Sequence, residues 1–451
     1  MLTLLLVRKR WGDVMSAHMR TLVVTSLALF AMFFGAGNLI VPVMIGADAG
    51  ITAWSAAIGF VSTGVLLPVL SMVAMSTLRE GELRLADRLG ARMGLIVTTL
   101  IFLFTGMLYA IPRVGAVSFE MAFGPYLSTA SEPTSQAALA VYSALFFAGA
   151  FAIVRSPKMV IRSIGVWLTP ALLVLLVVLI AGAWAMPATH IEPTSLYVAS
   201  PVIAGFIQGY FTMDALAALM FGGVVISSLK AAGFNSQQVH RGTATAGMMA
   251  GVFLTFVYVG LVRVGQVGTG SNGAALTARV ARDLFGPVGQ TFFGLIVVLA
   301  CLTTALGLLG ASVDYFNKLV PQVSRQGWLI IATLVSFVLT NLGLERILAV
   351  VAPANQLLYP IVMVLVVATL LDLATPNRLY FAYRVPAWIT AGLALLEALY
   401  STSLSVFLPL RSVLDIFPFG HLQMAWIVPA GVAFLIGLGA DVYRGRLTKG
   451  L

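Results

Sequence analysis

Long apolar segments separated by short polar connections dominate the chain. We count twelve of them. The length of each is close to that of a membrane-spanning α-helix, which needs about 20 residues. The predicted spans are 21–45, 52–78, 95–124, 137–154, 165–186, 199–228, 244–266, 287–317, 327–343, 347–371, 385–410 and 424–442. This pattern predicts an all-α polytopic membrane protein with twelve transmembrane helices and no soluble domain.

The first span contains an interruption that is unusual for a membrane helix. Gly35, Gly37 and Asn38 lie in the middle of the apolar run 30–46, and Pro42 follows one turn later. In hydrocarbon, a backbone group freed by such a break costs several kcal/mol unless another group binds it. Because a break of this kind persists where it lines a cavity or holds a ligand, we expect the transported solute to bind here.

The sixth span, 199–228, has a polar centre that comprises Gln208, Gly209, Tyr210, Thr212 and Asp214. A helix that restarts near Thr212 would place Asp214 in its first turn, where a carboxylate complements the free N–H groups and the helix dipole. The alternative is a continuous helix in which Asp214 pairs with a neighbouring helix. Spans one and six run in opposite directions, and breaks at matching positions of inverted repeats indicate the binding site of a secondary transporter.

Two other spans carry polar candidates. Thr303 and Thr304 of the eighth span either bond the preceding helical turn or join bare carbonyl oxygens around Na⁺. In the third span, Arg113 and Glu120 lie two turns apart on one face, and ionisable residues inside a membrane are functional candidates. Arg113 suits gating, structural pairing or solute contact equally well, and Tyr109 suits carboxylate binding or packing.

Composition and charge agree with the membrane assignment. Of the 451 residues, 60% are hydrophobic and 9% are charged, which is more apolar surface than a soluble fold buries. The net charge of +10 does not indicate nucleic acid, because Lys and Arg fall in short connections between spans. The predicted topology puts twenty of them on one side and five on the other, so both termini are expected in the cytoplasm of a bacterial inner membrane.

Several kinds of chemistry are not expected. One cysteine, Cys301, allows no disulfide or cysteine-based metal site within the chain. No nucleotide-binding pattern occurs, and no Ser, His and acid set lies at one depth, so neither ATP drive nor hydrolysis is predicted. We expect no enzyme activity, no cofactor, no nucleic acid and no obligate protein partner; the contacts expected are a small solute and membrane lipid. The connection 267–286 is an amphipathic helix or a surface loop.

Five stretches of the chain resemble the bacterial branched-chain amino acid carriers (the LIVCS family, BrnQ type). They are 27–46, 109–120, 209–222, 301–321 and 341–360, of which GYFTMDALAALMFG at 209–222 is quite specific to the family. The resemblance implies symport of leucine, isoleucine and valine with Na⁺ or H⁺ by alternating access. It also implies a LeuT-like fold of two inverted five-helix repeats, with helices one and six broken at mid-membrane. The domains expected are a cytoplasmic segment 1–20, repeats at 21–186 and 199–371, helices eleven and twelve at 385–442, and a tail 443–451.

The resemblance also implies where solute and cation bind. The turns at Gly35, Ala36 and Gly37 align with those that hold the amino acid carboxylate, and Phe33 and Phe211 fall near its ammonium and side chain. The expected solute site comprises Phe33, Gly35, Ala36, Gly37, Asn38, Tyr109, Gly209, Tyr210, Phe211, Thr212 and Thr304. The expected Na⁺ ligands are the carbonyls of Ala31, Phe34 and Ala300 and the hydroxyls of Thr303 and Thr304. The gating or coupling candidates are Arg113, Glu120 and Asp214.

Two other functions stay open at the level of the sequence. The same fold could carry another small neutral solute, or be driven by protons through Asp214 or Glu120. A third possibility, from another class, is a channel or a membrane-embedded sensor.

Overall fold

The structure is a computed structural model that describes residues 17–77, 85–127, 131–188, 192–268, 272–342, 344–375, 379–402 and 404–446. It is 86% helix, and no strand occurs in these ranges. The all-α class predicted from the hydrophobic pattern is therefore confirmed. Residues 1–16 and 447–451, which make up most of the two predicted cytoplasmic ends, lie outside the described residues.

Twenty α-helices follow one another along the described chain. Helices α1 to α10 are Ala17–Phe33, Ala36–Asp48, Ala53–Gly64, Leu66–Ser76, Ala91–Leu100, Ile111–Ala122, Glu132–Val154, Pro157–Ser163, Thr169–Ala185 and Ser195–Ala199. Helices α11 to α20 are Pro201–Tyr210, Asp214–Ala231, Ser236–Val267, Gly273–Phe285, Gly289–Leu319, Arg325–Thr340, Leu344–Asp372, Phe381–Ser401, Leu410–Leu414 and Ile427–Tyr443. The π-helical segments Ile101–Ala110 and Ile164–Leu168 join α5 to α6 and α8 to α9.

A helix overlaps each of the twelve predicted spans, although not all are long and apolar enough to cross a membrane. In the described chain 8 helical segments meet that criterion, and the bent pair His18–Phe33 and Ala36–Asp48 brings the number to 9. The helices Arg325–Thr340 and Ile427–Tyr443 are apolar but shorter. The count of twelve, the division into repeats and the side on which the termini lie stay predictions.

Two details of the predicted boundaries are resolved. The helix of the eleventh span ends at Ser401 rather than at residue 410, and the hydroxyls of Ser401 and Thr402 bond to carbonyls of the last helical turn. The connection 267–286 contains the helix α14, which Asn272 caps and which packs against α2 and α15.

The first and sixth spans are both interrupted. Helix α1 ends at Phe33 and α2 begins at Ala36, with a bend of 69° between them. Helix α11 ends at Tyr210 and α12 begins at Asp214, and Met213 between them has the left-handed φ of 58°. These gaps are where glycine, asparagine and polar residues interrupt the apolar pattern, and their depth in the membrane stays a prediction.

Glycines let α3 and α11 pack with their backbones in contact. A Cβ on Gly59 would lie 1.9 Å from the Val202 carbonyl oxygen, and one on Gly205 would lie 1.8 Å from the Ala56 carbonyl oxygen. Small residues at helix interfaces are the usual means of close approach in membranes. This contact fixes α11, and with it the start of the second break.

We expect Gly205→Ala to destabilise the protein by about 1–3 kcal/mol, because the added methyl group forces the two backbones apart. Gly149→Ala is the matched control, since a Cβ on Gly149 of α7 meets nothing within 4 Å. Thermal unfolding of the purified protein in detergent measures both. Equal unfolding midpoints for the two variants would contradict the close packing of α3 and α11.

Candidate functional site

A cavity of about 220 Å³ lies where the two helix breaks meet, and we call it the central cavity. Its volume is below the about 300–1,000 Å³ of pockets for drug-sized ligands, so it suits a smaller solute. Its polar lining comprises Asn38, Thr105, Tyr109, Arg113, Gln208, Thr212, Asp214, Thr304 and Asn355. Its apolar lining includes Met32, Phe33, Val41, Ala110, Val114, Val117, Phe211, Met213, Leu216, Ala217, Phe221 and Leu308. The backbone turns at Gly35, Ala36 and Gly37 complete it.

Side chains from other segments bind the carbonyls at the end of α1. The Thr303 hydroxyl donates to the Ala31 oxygen at 2.8 Å, and the Thr304 hydroxyl donates to the Met32 oxygen at 2.9 Å. The Asn38 amide donates to the third carbonyl, that of Phe33, at 2.7 Å. The last carbonyls of a helix have no partner within it, and these contacts satisfy them where α1 stops.

Three of the predicted cation ligands come together around Thr303. Its hydroxyl lies 2.8 Å from the Ala31 oxygen and 2.9 Å from the Ala300 oxygen, and all three residues are fully buried. A hydroxyl oxygen and two carbonyl oxygens this close together could also serve as ligands to one cation. Oxygen atoms without a soft ligand suit a hard cation. The predicted bond to the preceding helical turn is confirmed, since Ala300 belongs to that turn, and Na⁺ binding at these oxygens stays a prediction.

Asn38 joins the two breaks directly. Its side-chain nitrogen donates to the Asp214 carboxylate at 2.8 Å as well as to the Phe33 carbonyl. Asn38 lies in the first turn of α2 and Asp214 in the first turn of α12, so the bond connects the starts of the two half-helices. Hydrogen bonds to an ionised acceptor are roughly twice as strong as neutral ones.

Arg113 places a positive charge beside the start of α2. Its guanidinium donates to the Tyr109 hydroxyl at 3.1 Å, and another of its nitrogens lies 3.6 Å from where a Cβ on Gly37 would be. Because α2 begins at Ala36, the first N–H groups of the helix and its positive dipole end face the same place. The arrangement is suited to binding a carboxylate.

Most of the predicted solute residues line the central cavity, with two corrections in the second break. Gly209 does not belong to the lining, because it packs on α3, where a Cβ would lie 2.3 Å from the Thr63 hydroxyl. The Tyr210 side chain is buried away from the cavity and its hydroxyl accepts from the Trp426 indole. Gln208 takes their place, because the helical turn before the break points its side chain inward.

Two other predicted residues, Glu120 and Phe34, also do not line the central cavity. Glu120 is exposed on α6, whereas Arg113 lines the central cavity. The two side chains therefore do not share one polar environment. Two turns of helix carry the Glu120 side chain to the far end of α6. Phe34 is fully buried and its ring stacks on Phe30 at 5.7 Å. The contacts between α1 and α15 use the carbonyls of Ala31 and Met32, so a role for the Phe34 carbonyl stays a prediction.

Two polar residues of the cavity were missed in the sequence. Thr105 of the π-helical segment donates to the Asn355 side chain at 2.9 Å, and both line the cavity. Asn355 lies between Pro353 and Pro360 of α17, so a polar side chain flanked by prolines in an apolar span was the available signal.

A second cavity of about 310 Å³ follows along the same helices. Its lining includes Phe102, Met220, Ala311, Asp314 and Tyr315, from the π-helical segment, α12 and α15. Gly106 packs closely against α12 and α15: a Cβ there would be 2.5 Å from the Ser312 hydroxyl and 3.2 Å from the Met220 methyl.

Comparison with known proteins assigns nearly all of the described chain to one protein family. A family described as "Branched-chain amino acid transport protein" matches residues 18–442. The branched-chain amino acid permease BrnQ of Corynebacterium glutamicum is 38% identical over 425 residues, which are 94% of this chain and 95% of the permease. The branched-chain amino acid permease BraB of Bacillus subtilis is 32% identical over 444 residues, which are 95% of this chain and 97% of that protein.

A solved structure has the same fold. It is Mhp1, a nucleobase-cation-symport-1 family transporter in a closed conformation with bromovinylhydantoin bound. The TM-score is 0.57 at 13% sequence identity, and the match covers 94% of this chain and 92% of Mhp1. The likeness assigns the chain to the LeuT-type transporter fold.

Proposed function

Because the chain belongs to the family of branched-chain amino acid transport proteins, we propose that it carries leucine, isoleucine and valine across the membrane together with Na⁺, by alternating access. It is a multi-span membrane transport protein rather than an enzyme. The observation that carries the proposal is the central cavity. The ends of two broken helices, the Arg113 guanidinium and an apolar wall meet there, beside a cluster of buried oxygens.

The two ends of a zwitterion find opposite partners in this cavity. The carboxylate is placed at the N–H groups that begin α2, beside Arg113. The ammonium is placed toward the carbonyl ends of α1 and α11, which carry the negative ends of their dipoles. Helix ends thus supply most of the charge stabilisation that a zwitterion needs on leaving water.

The apolar lining determines which side chain fits. Residues such as Val114, Leu216 and Leu308 offer only hydrocarbon, which favours an aliphatic solute by about 25 cal/mol for each Å² buried. One methylene changes the discrimination by about 1–3 kcal/mol. Leucine, isoleucine and valine are therefore expected to compete with one another, and charged amino acids are not.

Na⁺ is the second cargo in this proposal. The oxygens of Ala31, Ala300 and Thr303 are its ligands, and Thr304 connects them to the central cavity through its contact with the Met32 carbonyl. Because Thr304 lines the cavity and would lie 3.2 Å from a Cβ on Gly35, a bound cation and a bound solute stabilise the same break. The coupling of the two cargoes is explained by this shared segment.

The second cavity gives alternating access a route. Both linings include residues of α12 and α15, and Gly106 packs closely against Met220 of α12 and Ser312 of α15. Separation of these helices would join the cavities and release the solute.

Uptake of labelled leucine into proteoliposomes tests the proposal. An inward Na⁺ gradient is expected to raise the initial rate, and unlabelled isoleucine and valine are expected to compete, while lysine and aspartate do not. Equal uptake with and without Na⁺ and pH gradients would contradict coupled transport. Uptake driven by a pH gradient alone would favour the second candidate, proton coupling, for which Asp214 is the acidic group on the cavity.

A further inference from the structure

Residues outside the two predicted repeats contact the second helix break. The Trp426 indole N–H donates to the Tyr210 hydroxyl at 3.2 Å, and both side chains are buried. Tyr210 is the last residue of α11, and its neighbour Phe211 lines the central cavity. The Tyr210 ring also packs edge-on against Tyr359 of α17 at 4.8 Å. The end of α11 is therefore held from behind, on the side away from the solute.

Trp426 lies at the end of the 404–426 segment, which connects α18 to α20 and is folded tightly. Phe419 and Gln423 have left-handed φ values of 65° and 58°. A Cβ on Gly420 would lie 1.9 Å from the Leu414 carbonyl oxygen. Non-glycine residues keep such backbone conformations only where the surrounding structure determines them. This segment thus has a defined structure, and its end at Met424, Ala425 and Trp426 is buried.

Glu397 of α18 anchors the end of the segment. Its carboxylate accepts the backbone N–H of Ala425 at 2.7 Å, and only 4% of Glu397 is exposed. A buried carboxyl group is costly unless it is hydrogen-bonded, and a charged acceptor makes the bond stronger. Ala425 precedes Trp426 in the chain, so Glu397 fixes the backbone that carries the indole.

A second hydrogen bond connects the segment to α17, which contributes Asn355 to the cavity lining. Gln356 of α17 donates to the Gln423 side chain at 2.6 Å. The residue before Gln356 is Asn355, which accepts from Thr105 and lines the central cavity. The 404–426 segment is therefore bonded to two helices that form the cavity, at Tyr210 and next to Asn355.

We propose that Glu397 and Trp426 are positioning residues for solute binding: through Tyr210 they hold the end of α11, and with it Gln208 and Phe211, in the geometry of the central cavity. The proposal rests on the proposed transport function for its substrate. It gives α18 and the segment that leads into α20 a role in apparent affinity, although they lie outside both predicted repeats and do not line the central cavity.

Transport kinetics test the hydrogen bond between Trp426 and Tyr210. Trp426→Phe removes the donor and Tyr210→Phe removes the acceptor, and each is expected to raise the KM for leucine about two- to tenfold at equal protein in the membrane. The double variant should raise it no further, because both changes remove one bond. Multiplied effects, or unchanged KM values with only less protein in the membrane, would overturn the proposal.

Glu397 has its own pair of variants. Glu397→Ala is expected to raise KM as Trp426→Phe does, whereas Glu397→Gln keeps an oxygen for the Ala425 N–H and should restore most of the affinity. Leu395→Ala is the control, since Leu395 lies on the same helix and is 46% exposed. Equal KM changes in Glu397→Ala and Leu395→Ala would overturn the role of the carboxyl group.

Hydrogen exchange of the solute-free protein separates this proposal from the proposed function. Trp426→Phe and Glu397→Ala are expected to speed amide exchange at residues 208–214, while Leu395→Ala leaves it unchanged. If wild-type protein takes up no leucine, the proposed function fails while the exchange result still decides the connection. Unchanged exchange at 208–214 in both variants would overturn it, whatever the solute is.

Discussion

Replacing both Thr303 and Thr304 by Ala is expected to abolish the stimulation of leucine uptake by Na⁺. The change removes a hydroxyl that lies between two buried carbonyl oxygens and a second that connects α15 to the Met32 carbonyl. A hydrogen-bonding oxygen on a charged partner contributes about 1.5–3 kcal/mol, so the loss of the Thr303 ligand alone should raise the half-saturating Na⁺ concentration by about 10- to 100-fold. Initial rates of uptake into proteoliposomes over a series of Na⁺ concentrations measure this.

The matched control is the pair Thr303→Ser and Thr304→Ser. Serine keeps each hydroxyl and loses only a methyl group, so Na⁺ stimulation should persist. Because both hydroxyls also hold carbonyls at the end of α1, the thermal unfolding midpoint of each variant is compared as well. Na⁺ stimulation that survives in a folded Ala double variant would contradict the assigned cation site and favour proton coupling.

Replacing Asp214 by Ala should lower leucine uptake about ten- to hundredfold. The Asn38 amide would lose the carboxyl acceptor that joins the starts of α2 and α12. The Arg113 charge in the same cavity would lose the only carboxylate among the described residues that line it. Removing one partner of a bond to a charged group costs about 1.5–3 kcal/mol. Uptake at subsaturating leucine, normalised to the amount of protein in the membrane, measures the loss.

Asp214→Asn separates the bond from the charge. Its amide oxygen can still accept from Asn38, so with Na⁺ as the coupling ion at least about a tenth of the uptake and its Na⁺ dependence should remain. If Asp214→Asn is as inactive as Asp214→Ala, the negative charge itself is needed. Loss of a response to a pH gradient in that variant would identify Asp214 as a proton carrier.

The break in the first span was the part of the site that the sequence predicted best. Two glycines and an asparagine in hydrocarbon leave backbone groups that something must bind, and three side chains do bind the carbonyls of α1. The sixth span was harder. Its polar centre was evident, but the face that each residue presents depends on where the helix stops, and a shift of one residue exchanges Gln208 for Gly209.

Glu397 illustrates what a sequence does not contain. An acidic residue in an apolar span is a functional candidate, yet its partner lies 28 positions further along the chain in backbone that has no sequence signature. Asn355 is a similar case, because its contact with Thr105 spans 250 positions. Only the packing of the π-helical segment Ile101–Ala110 on α17, and of the 404–426 segment on α18, brings these groups together.

The sequence alone determined the class of protein, the two interruptions and the chemistry they need, because hydrophobicity and backbone geometry act locally along the chain. Tertiary structure decided which of the exposed backbone groups are capped, that Asn38 bonds to Asp214, and that Tyr210 faces Trp426 rather than the solute. These facts depend on distances between helices that are far apart in sequence. In a membrane those distances are set by the close packing of small residues, such as Gly59 and Gly205.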